Sequence, residues 1–324
     1  MKLISKFLAL KKNFSSSKES LYVDSISERS DHRIGVTEKG QPAFFIKTLR
    51  PHKNFLDVNL EMITISFNQK CELISKTEVK EEGIYSTAIL KSGSDEMIEY
   101  FLNSINSLIL NLGNTPTTTQ VKIEFDKLID LFKHLKNPPK NTIQGLWSEL
   151  FFIEQSKNIE YAIKSWHSSR NDRFDFNDGV DKIEIKSTSK NERIHKFNQA
   201  QLISSNGFSV FVGSVFSIET GEGKCINDLF KSIRLKTKNK DLIHKINLII
   251  SDTLGRDIER IYDVFFDYSL AKTTKALYNS KDIPNIPKDN ISPQISNIKF
   301  DCSLEGLEKI EKAKIKSELL KAFL

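Results

Sequence analysis

The chain has 324 residues, of which 39% are hydrophobic and 28% are charged, and this balance excludes a wholly disordered protein. Its 48 basic and 42 acidic residues give a net charge of +6, which permits a nucleic-acid partner without requiring one. No run approaches the roughly 18–20 consecutive apolar residues of a membrane-spanning helix, and the three cysteines form neither a zinc-site spacing nor a disulfide framework. We therefore expect a cytoplasmic protein that has no membrane partner.

The first half of the chain predicts an arm followed by a β-rich domain. Residues 1–20 are polar after a short apolar start, and Lys6 interrupts that start too early for a secretion signal, so we interpret this segment as an N-terminal arm. From about 34 to 92, short β-like runs such as LEMITISF alternate with turn residues. Amphipathic helices follow at about 94–113 and 121–135. Residues 21–136 thus form a predicted α+β domain that binds DNA or a partner.

A proline pair marks the predicted domain boundary. Asn137-Pro138-Pro139-Lys140 cannot continue a helix, so a second domain should occupy residues 141–324. Its pattern alternates helices and strands, which predicts an α/β fold. The predicted elements are a helix at 143–157, strands at 161–166, 173–176 and 182–188, a helix at 196–205, a strand at 208–218, helices between 227 and 277, a strand near 298–302 and a terminal helix.

The segment RFDFNDGVDKIEIKST, residues 173–188, predicts a β-hairpin. Asn177-Asp178-Gly179 is a strong turn signal between two strand-like runs. With Asp178 and Gly179 as the two turn residues, Asn177 would pair with Val180 and Asp175 with Lys182. Because side chains alternate along a strand, Asp175, Glu184 and Lys186 would share one face, and the phenylalanines and isoleucines between them would share the other.

Two carboxylates and an ammonium on one strand face indicate a site for a divalent cation. Asp175 and Glu184 would be diagonal neighbours about 7–8 Å apart at the backbone, a gap that their side chains can close around one ion. Mg²⁺ favours such oxygen ligands, and the main-chain carbonyl of Ile185 could add another. Lys186 would then orient the nucleophile or offset phosphate charge. The alternative is a solvated strand face with an incidental salt bridge.

This segment resembles the PD-(D/E)xK nuclease superfamily, and within it a bacterial family of PD-(D/E)xK motif proteins found with restriction and phage-defence genes. The resemblance is carried by GLWSEL at 145–150, Trp166, FDF at 174–176, IEIKST at 183–188, and His195 followed by FNQAQL at 197–202. These elements span about sixty residues. The chain departs from the motif at Phe174, where the superfamily name has proline.

The resemblance implies a restriction-endonuclease-like αβββαβ core, a mixed sheet flanked by helices, preceded by the β-rich domain and followed by a helical extension. It implies a Mg²⁺-dependent DNA endonuclease of restriction type, with Mn²⁺ as a substitute, in which Asp175, Glu184 and Glu149 bind the metal and Lys186 assists catalysis. Polar residues after the Glu-x-Lys strand contact nucleic acid in related nucleases, which suggests Gln201, Gln199 and His195. A methyltransferase or ATPase partner and a homodimer are expected on the same basis.

Glu149 also has a rival on its own helix. The helix is apolar over most of its circumference, and Glu149 lies toward the edge of that surface, where a carboxylate needs a cation or a metal. Glu154 lies closer to the apolar stripe, and the GLWSEL match favours Glu149. Further on, the lysine-rich run KSIRLKTKNKDLIHK, residues 231–245, is either a solvated helix face or a DNA contact.

Three other functions remain open from the sequence. The nuclease fold could be catalytically dormant and serve as a DNA-binding or scaffold subunit of a defence complex. It could act on RNA or on a particular nucleic-acid structure, or the motif could be accidental in an α/β protein that is not a nuclease. Cleavage assays with DNA and RNA, and calorimetry with Mg²⁺ or Mn²⁺, separate these readings.

Overall fold

A computed structural model describes residues 3–13, 21–27, 30–48, 55–75, 79–109, 111–139, 141–168, 172–204, 207–287, 291–292, 294–310 and 317–324. The chain divides into two compact units, of which the first comprises Met1–Pro139 and Asn247–Glu259 and the second comprises Lys140–Ile246 and Arg260–Leu324. The main division follows the proline pair, but no pattern in the sequence indicates that residues 247–259 return to the first unit. Among the described residues, no helix is long and apolar enough to cross a membrane.

The first unit is built around a six-stranded, mostly antiparallel sheet. In chain order its elements are α1 (Leu3–Asn13), β1 (Leu21–Ser25), β2 (Arg33–Val36), β3 (Pro42–Lys47), β4 (Val58–Asn59), β5 (Ile63–Ser75), β6 (Lys80–Leu90), α2 (Asp95–Ile109) and α3 (Thr118–His134). The strands lie in the order β1-β2-β3-β6-β5-β4, and a parallel pairing of β1 with β5 closes five of them into a ring. One core cluster contains Val23, Ala43, Phe45, Leu73 and Tyr85.

The predicted N-terminal arm is partly a packed helix. Within the predicted arm, Leu3, Phe7 and Leu10 of α1 are buried because they recur at helical spacing along one face. Residues 14–20 of the predicted arm lie outside the described residues. The helices expected at about 94–113 and 121–135 are confirmed as α2 and α3, and Thr117 caps α3 by accepting a hydrogen bond from the Gln120 amide.

The second unit contains a four-stranded mixed sheet. Its elements are α4 (Ile143–Glu154), α5 (Ile159–Ser165), β7 (Phe176–Asn177), β8 (Asp181–Thr188), β9 (Ile194–Asn198), a 3-10 helix (Gln199–Gln201), β10 (Ser209–Phe216), β11 (Glu219–Thr220), α6 (Ile226–Lys236), α7 (Lys240–Leu254), a 3-10 helix (Gly255–Ile261), β12 (Phe265–Phe266), α8 (Tyr268–Thr274), β13 (Ala276–Asn279), a 3-10 helix (Ser280–Asp282), β14 (Lys299–Ser303) and α9 (Glu318–Phe323). The end of α7 and the 3-10 helix after it pass into the first unit.

The sheet of the second unit has the strand order β13-β10-β8-β7. Strands β8 and β10 are parallel, whereas β7 and β13 are antiparallel to their neighbours. Helix α4 packs against one face, where a Cβ added to Gly213 would lie only 2.9 Å from the Phe152 ring. This α/β architecture agrees with the expected fold class, and the strand predicted at 182–188 is confirmed as β8.

Two elements of the predicted core are wrong. The strand expected at 161–166 is the helix α5, because Asn158 caps it by accepting from the Tyr161 amide and its buried residues Ile159, Ala162 and Ile163 follow helical spacing. The helix expected at 196–205 is instead, over its described residues 196–204, the end of β9 followed by one 3-10 turn. Strand β9 forms because it pairs with β14, about a hundred residues away in the sequence, and a local pattern cannot reveal that partner.

Candidate active site

Strand β8 presents the Glu-x-Lys pair on one face of the second sheet. Its parallel register places Glu184 beside Val212 and Lys186 beside Ser214 of β10. Ile183 and Ile185 alternate with them and are buried on the opposite face, toward α4. The side chains of Glu184 and Lys186 are only 6% and 18% exposed. The alternative of a solvated strand face is therefore wrong.

The hairpin register differs from the predicted one. Asn177 pairs with Lys182 and Phe176 with Ile183, so the connection is two residues longer than a two-residue turn. Asp178 holds this longer connection, since its Oδ1 accepts hydrogen bonds from the amides of Val180 and Asp181 at 2.9 and 2.7 Å. The shift is an even number of residues, so Asp175 keeps its predicted face; continuing the register by one pair puts it level with Glu184 rather than diagonal to it.

Asp175 lies directly before the first residue of β7 and is held by the neighbouring strand β8. Its Oδ2 accepts a 2.6 Å hydrogen bond from the main-chain amide of Ile185. In a strand the N–H and C=O of one residue point to the same side, so the Ile185 carbonyl also faces this edge. The predicted carbonyl ligand therefore has an orientation that is compatible with the site.

Glu149 reaches the same place from α4. Its Oε2 accepts a buried 2.7 Å hydrogen bond from the Trp166 indole and lies 3.0 Å from Nε2 of His167. Ligand atoms of Glu149, His167 and Asp175 all lie within 4.8 Å of one another, close enough for a metal ion to contact all three. The structure thus brings the helix glutamate and the motif aspartate together.

Glu149, Asp175 and Glu184, which we call the carboxylate cluster, are close enough for their charges to disfavour one another. Burial raises the pKa of Asp175 well above its ordinary range, and the nearby carboxylates of Glu184 and Glu149 raise it further. Burial also raises the pKa of Glu184, although Lys186 opposes the shift. Among the described residues no group donates a hydrogen bond to Glu184 Oε2, which is buried. Neighbouring cations and hydrogen-bond donors therefore compensate only part of the negative charge that these buried carboxylates would carry.

Lys186 and Gln201 form a small network with Glu184. The Lys186 ammonium donates to Glu184 Oε1 at 2.7 Å and to Gln201 Oε1 at 3.2 Å. The Gln201 amide in turn donates to Glu184 Oε1 at 2.5 Å, and its own oxygen also accepts from the Asn198 amide at 3.0 Å. Gln201 thus lies beside the Glu-x-Lys pair because the 3-10 turn after β9 places it there.

The other predicted nucleic-acid contacts are buried. His195 is 3% exposed, with its Nε2 2.7 Å from Ser214 Oγ, and burial together with the charges of Arg193 and Lys186 lowers its pKa to about 4. Gln199 is 6% exposed and donates to the Ile286 carbonyl. Neither side chain is exposed enough to contact nucleic acid at the surface in this conformation. A nucleic-acid contact by Gln201, which is half-buried, stays a prediction.

Two further sequence features have structural roles. Glu154, the rival of Glu149, accepts hydrogen bonds from Ser232, Lys236, Tyr268 and Gln155, none of which belongs to the carboxylate cluster. In the lysine-rich run, Lys236 bonds to Glu154, and Lys245 donates to the carbonyls of Ile163 and Lys164 at the end of α5. At least two of its cations therefore support the fold rather than a solvated surface.

Sequence reasoning missed His167. No spacing between histidines predicts a site that joins one histidine to a glutamate 18 residues earlier and an aspartate 8 residues later. The contact arises because Trp166 forms a β-bridge with Phe176 and the His167 amide donates to the Asp175 carbonyl at 2.8 Å. The only available signal was its position directly after Trp166, one of the residues that carry the resemblance.

Comparison with known proteins identifies the family of this chain. A family model described as "Putative PD-(D/E)XK family member, (DUF4420)" matches residues 6–305, which is most of the chain. No curated protein and no solved structure matches the chain. The match extends well beyond the sixty residues of the motif and includes both compact units. The chain therefore belongs to this family of the PD-(D/E)XK group.

Proposed function

We propose that the protein is a Mg²⁺-dependent DNA endonuclease of restriction type that hydrolyses phosphodiester bonds in bacterial defence. The observation that carries this proposal is the meeting of Glu149, Asp175 and the Glu184–Lys186 pair at one sheet edge. The family match supports a nuclease-like protein. DNA as substrate, the cytoplasm as location, a methyltransferase or ATPase partner and a homodimer are parts of the proposal that come from the resemblance.

The residues of the cluster fit a divalent cation. Asp175 and Glu184 have raised pKa values because burial and neighbouring carboxylates disfavour their charged forms. A divalent cation beside them would reverse that penalty, and the buried Glu184 Oε2, which has no hydrogen-bond donor among the described residues, would gain a partner. Asp175, Glu184 and Glu149 would hold the ion, with the Ile185 carbonyl as a further oxygen ligand.

Each residue of the site then has a defined task. When bound, the cation supplies Lewis-acid polarisation of the phosphate and lowers the pKa of water. Lys186 forms an ion pair with Glu184 and can offset charge that develops on the phosphate. Gln201 fixes Lys186 and Glu184 relative to each other through its two amide atoms. The Ile185 amide and the Trp166 indole orient the Asp175 and Glu149 carboxylates respectively.

Cleavage by single-residue variants tests this function. We expect Lys186→Ala and Asp175→Asn to reduce DNA cleavage in Mg²⁺ or Mn²⁺ by at least about a hundredfold, the range typical of losing a group that stabilises the transition state. Lys157→Ala is the matched control, because this exposed lysine lies in the same unit but outside the lysine-rich run 231–245. Circular dichroism and thermal unfolding should show that all three variants keep the fold.

The substrates should include unmodified and modified duplex DNA, single-stranded DNA and RNA, with and without proteins from the same locus. Cleavage by the parent and loss in both site variants supports the proposal. Equal cleavage by parent and variants contradicts the assignment of the site. If the parent cleaves none of these substrates under any condition, the proposal of hydrolysis is wrong.

A further inference from the structure

We propose that His167 is an ion ligand that makes this site select a first-row transition ion such as Mn²⁺ over Mg²⁺. The inference rests on the cation site of the proposed function and names which ion that site takes. It departs from the Mg²⁺ expected from the motif, because an imidazole nitrogen joins the oxygen ligands.

The first observation is the spacing of the ligand atoms. His167 Nε2 lies 3.0 Å from Glu149 Oε2, and one ligand atom of Asp175 completes a set whose members are all within 4.8 Å. Adjacent ligands of an octahedral ion with bonds of about 2.1 Å lie about 3 Å apart. The separation of the histidine and glutamate atoms therefore suits two neighbouring ligands of one ion.

The second observation is the backbone of His167. Its φ of +41° lies in the left-handed region, which an L-residue adopts at an energetic cost. This conformation is maintained by the Trp166–Phe176 bridge and by the hydrogen bond from the His167 amide to the Asp175 carbonyl. Strained backbone of this kind is concentrated at functional sites, and here it accompanies a side chain that reaches the carboxylates.

The third observation is the burial of the possible ligand atoms around His167. The side chains of Glu149 and Glu184 are 5% and 6% exposed, whereas the side chain of His167 is 31% exposed. Glu184 Oε2 is buried and no described residue donates to it. A site with an unpartnered buried carboxylate oxygen and an accessible imidazole offers both oxygen and nitrogen donors to an ion.

Chemistry decides which ion this donor set favours. Mg²⁺ is a hard cation that binds oxygen ligands and retains several waters. Imidazole is a better ligand for first-row transition ions, and Mn²⁺ accepts both carboxylate and imidazole. Replacing one oxygen ligand by nitrogen should therefore lower the affinity for Mg²⁺ relative to Mn²⁺.

Two substitutions at His167 remove the imidazole without disturbing the left-handed backbone, so they distinguish a ligand role from a backbone role. Asparagine tolerates the left-handed conformation and replaces the imidazole with an amide oxygen, whereas glycine adopts that conformation freely and removes the side chain. His134→Asn is the matched control, because His134 lies on α3 in the first unit. All proteins should be full-length and free of a polyhistidine tag.

The experiment measures ion binding directly. Calorimetry with MnCl₂ and MgCl₂ alone gives the ratio of the two affinities, and pulsed electron paramagnetic resonance of bound Mn²⁺ detects a directly bonded ¹⁴N nucleus. We expect the parent to favour Mn²⁺ by at least about tenfold and His167→Asn to reduce that ratio by about tenfold or more, the size of effect common for residues of a metal site. The nitrogen coupling should disappear in both His167 variants and persist in His134→Asn.

The outcomes distinguish this inference from the proposed function. If the parent binds Mn²⁺ without nitrogen coupling, or His167→Asn keeps the parental affinity ratio, His167 is not a ligand, while hydrolysis through the carboxylates still stands. If neither ion binds the parent, both the ion selection and the metal-dependent function are wrong.

Discussion

Two glutamates five residues apart on α4 show how residue environment decides chemistry. Glu149 joins the acidic cluster, where Asp175 and Glu184 both have raised pKa values. Glu154 is equally buried, and burial alone would raise its pKa, but hydrogen bonds from Ser232, Gln155, Tyr268 and Lys236 lower it to about 2. Glu149 thus belongs to a group of carboxylates whose charge needs a cation, whereas the charge of Glu154 is already compensated by its hydrogen-bond donors.

The environment of Glu154 predicts that the folded protein loses stability in acid. Its pKa of about 2 in the folded protein is below the ordinary value of 4.5, so its contribution to stability is complete above pH 4.5 and is lost as the pH falls toward 2. At about 1.4 kcal/mol per pKa unit this contribution is about 3 kcal/mol. We expect Glu154→Gln to lower the free energy of unfolding by up to that amount at pH 7, as measured by urea denaturation.

The difference between parent and Glu154→Gln should shrink as the pH approaches 2, where the parental carboxylate is also protonated. Glu318→Gln serves as the control, since this side chain is 70% exposed and its ion pair with Lys321 should contribute little. A difference that stays constant from pH 7 to pH 3 would show that the ionised state of Glu154 contributes nothing to stability.

At the scale of elements, the contact between α4 and the second sheet positions Glu149 relative to β8. Gly213 of β10 allows this contact, because an added Cβ would lie 2.5 Å from Ile185 Cδ1 and 2.9 Å from Phe152 Cε1. Both distances are shorter than real Cβ contacts permit, so a methyl group here forces the helix or the side chains to shift.

We therefore expect Gly213→Ala to lower the free energy of unfolding by about 1–3 kcal/mol through overpacking. Its Mn²⁺ affinity should also fall, because a displaced α4 moves Glu149 away from Asp175. Gly221→Ala is the control, since nothing lies within 4 Å of a Cβ added there. Urea denaturation and calorimetry check both effects, and a Gly213→Ala protein as stable as the control would contradict the packing argument.

At the scale of the whole molecule, the chain is not divided into two uninterrupted domains. Residues 247–259 belong to the first unit although they follow most of the second. Within the first unit the Arg256 amide donates to the Asn137 carbonyl at 3.0 Å, and Ser94 donates to Glu259 at 2.6 Å. Ile250, Leu254 and Ile258 of this segment are buried.

This arrangement predicts that a chain split between residues 139 and 140 remains associated. When fragments 1–139 and 140–324 are co-expressed, a tag on one should recover the other, because residues 247–259 complete the first unit. Ile250→Asp with Leu254→Asp should abolish co-purification, whereas Ile295→Asp, at a 56% exposed position, should not. Independent fragments would mean that the segment is not required by the first unit.

Local patterns in the sequence predicted much of this protein. Alternation along 182–188 placed Glu184 and Lys186 on one strand face, apolar spacing predicted α2, α3 and α4, and the proline pair marked the main division between units. These features depend on interactions between residues that lie close together in the sequence, so a local pattern is enough to predict them. The resemblance added the family, which the family match confirms, and it added Glu149 as a metal ligand, which stays a prediction.

Tertiary structure alone decided the features that depend on distant partners. Strand β9 requires β14, the hairpin register requires the side chain of Asp178, and the first unit requires residues 247–259. His167 meets Glu149 only because a bridge to Phe176 positions the end of α5. Burial and charge interactions between residues far apart in the chain set these contacts, so no periodicity in the sequence could reveal them.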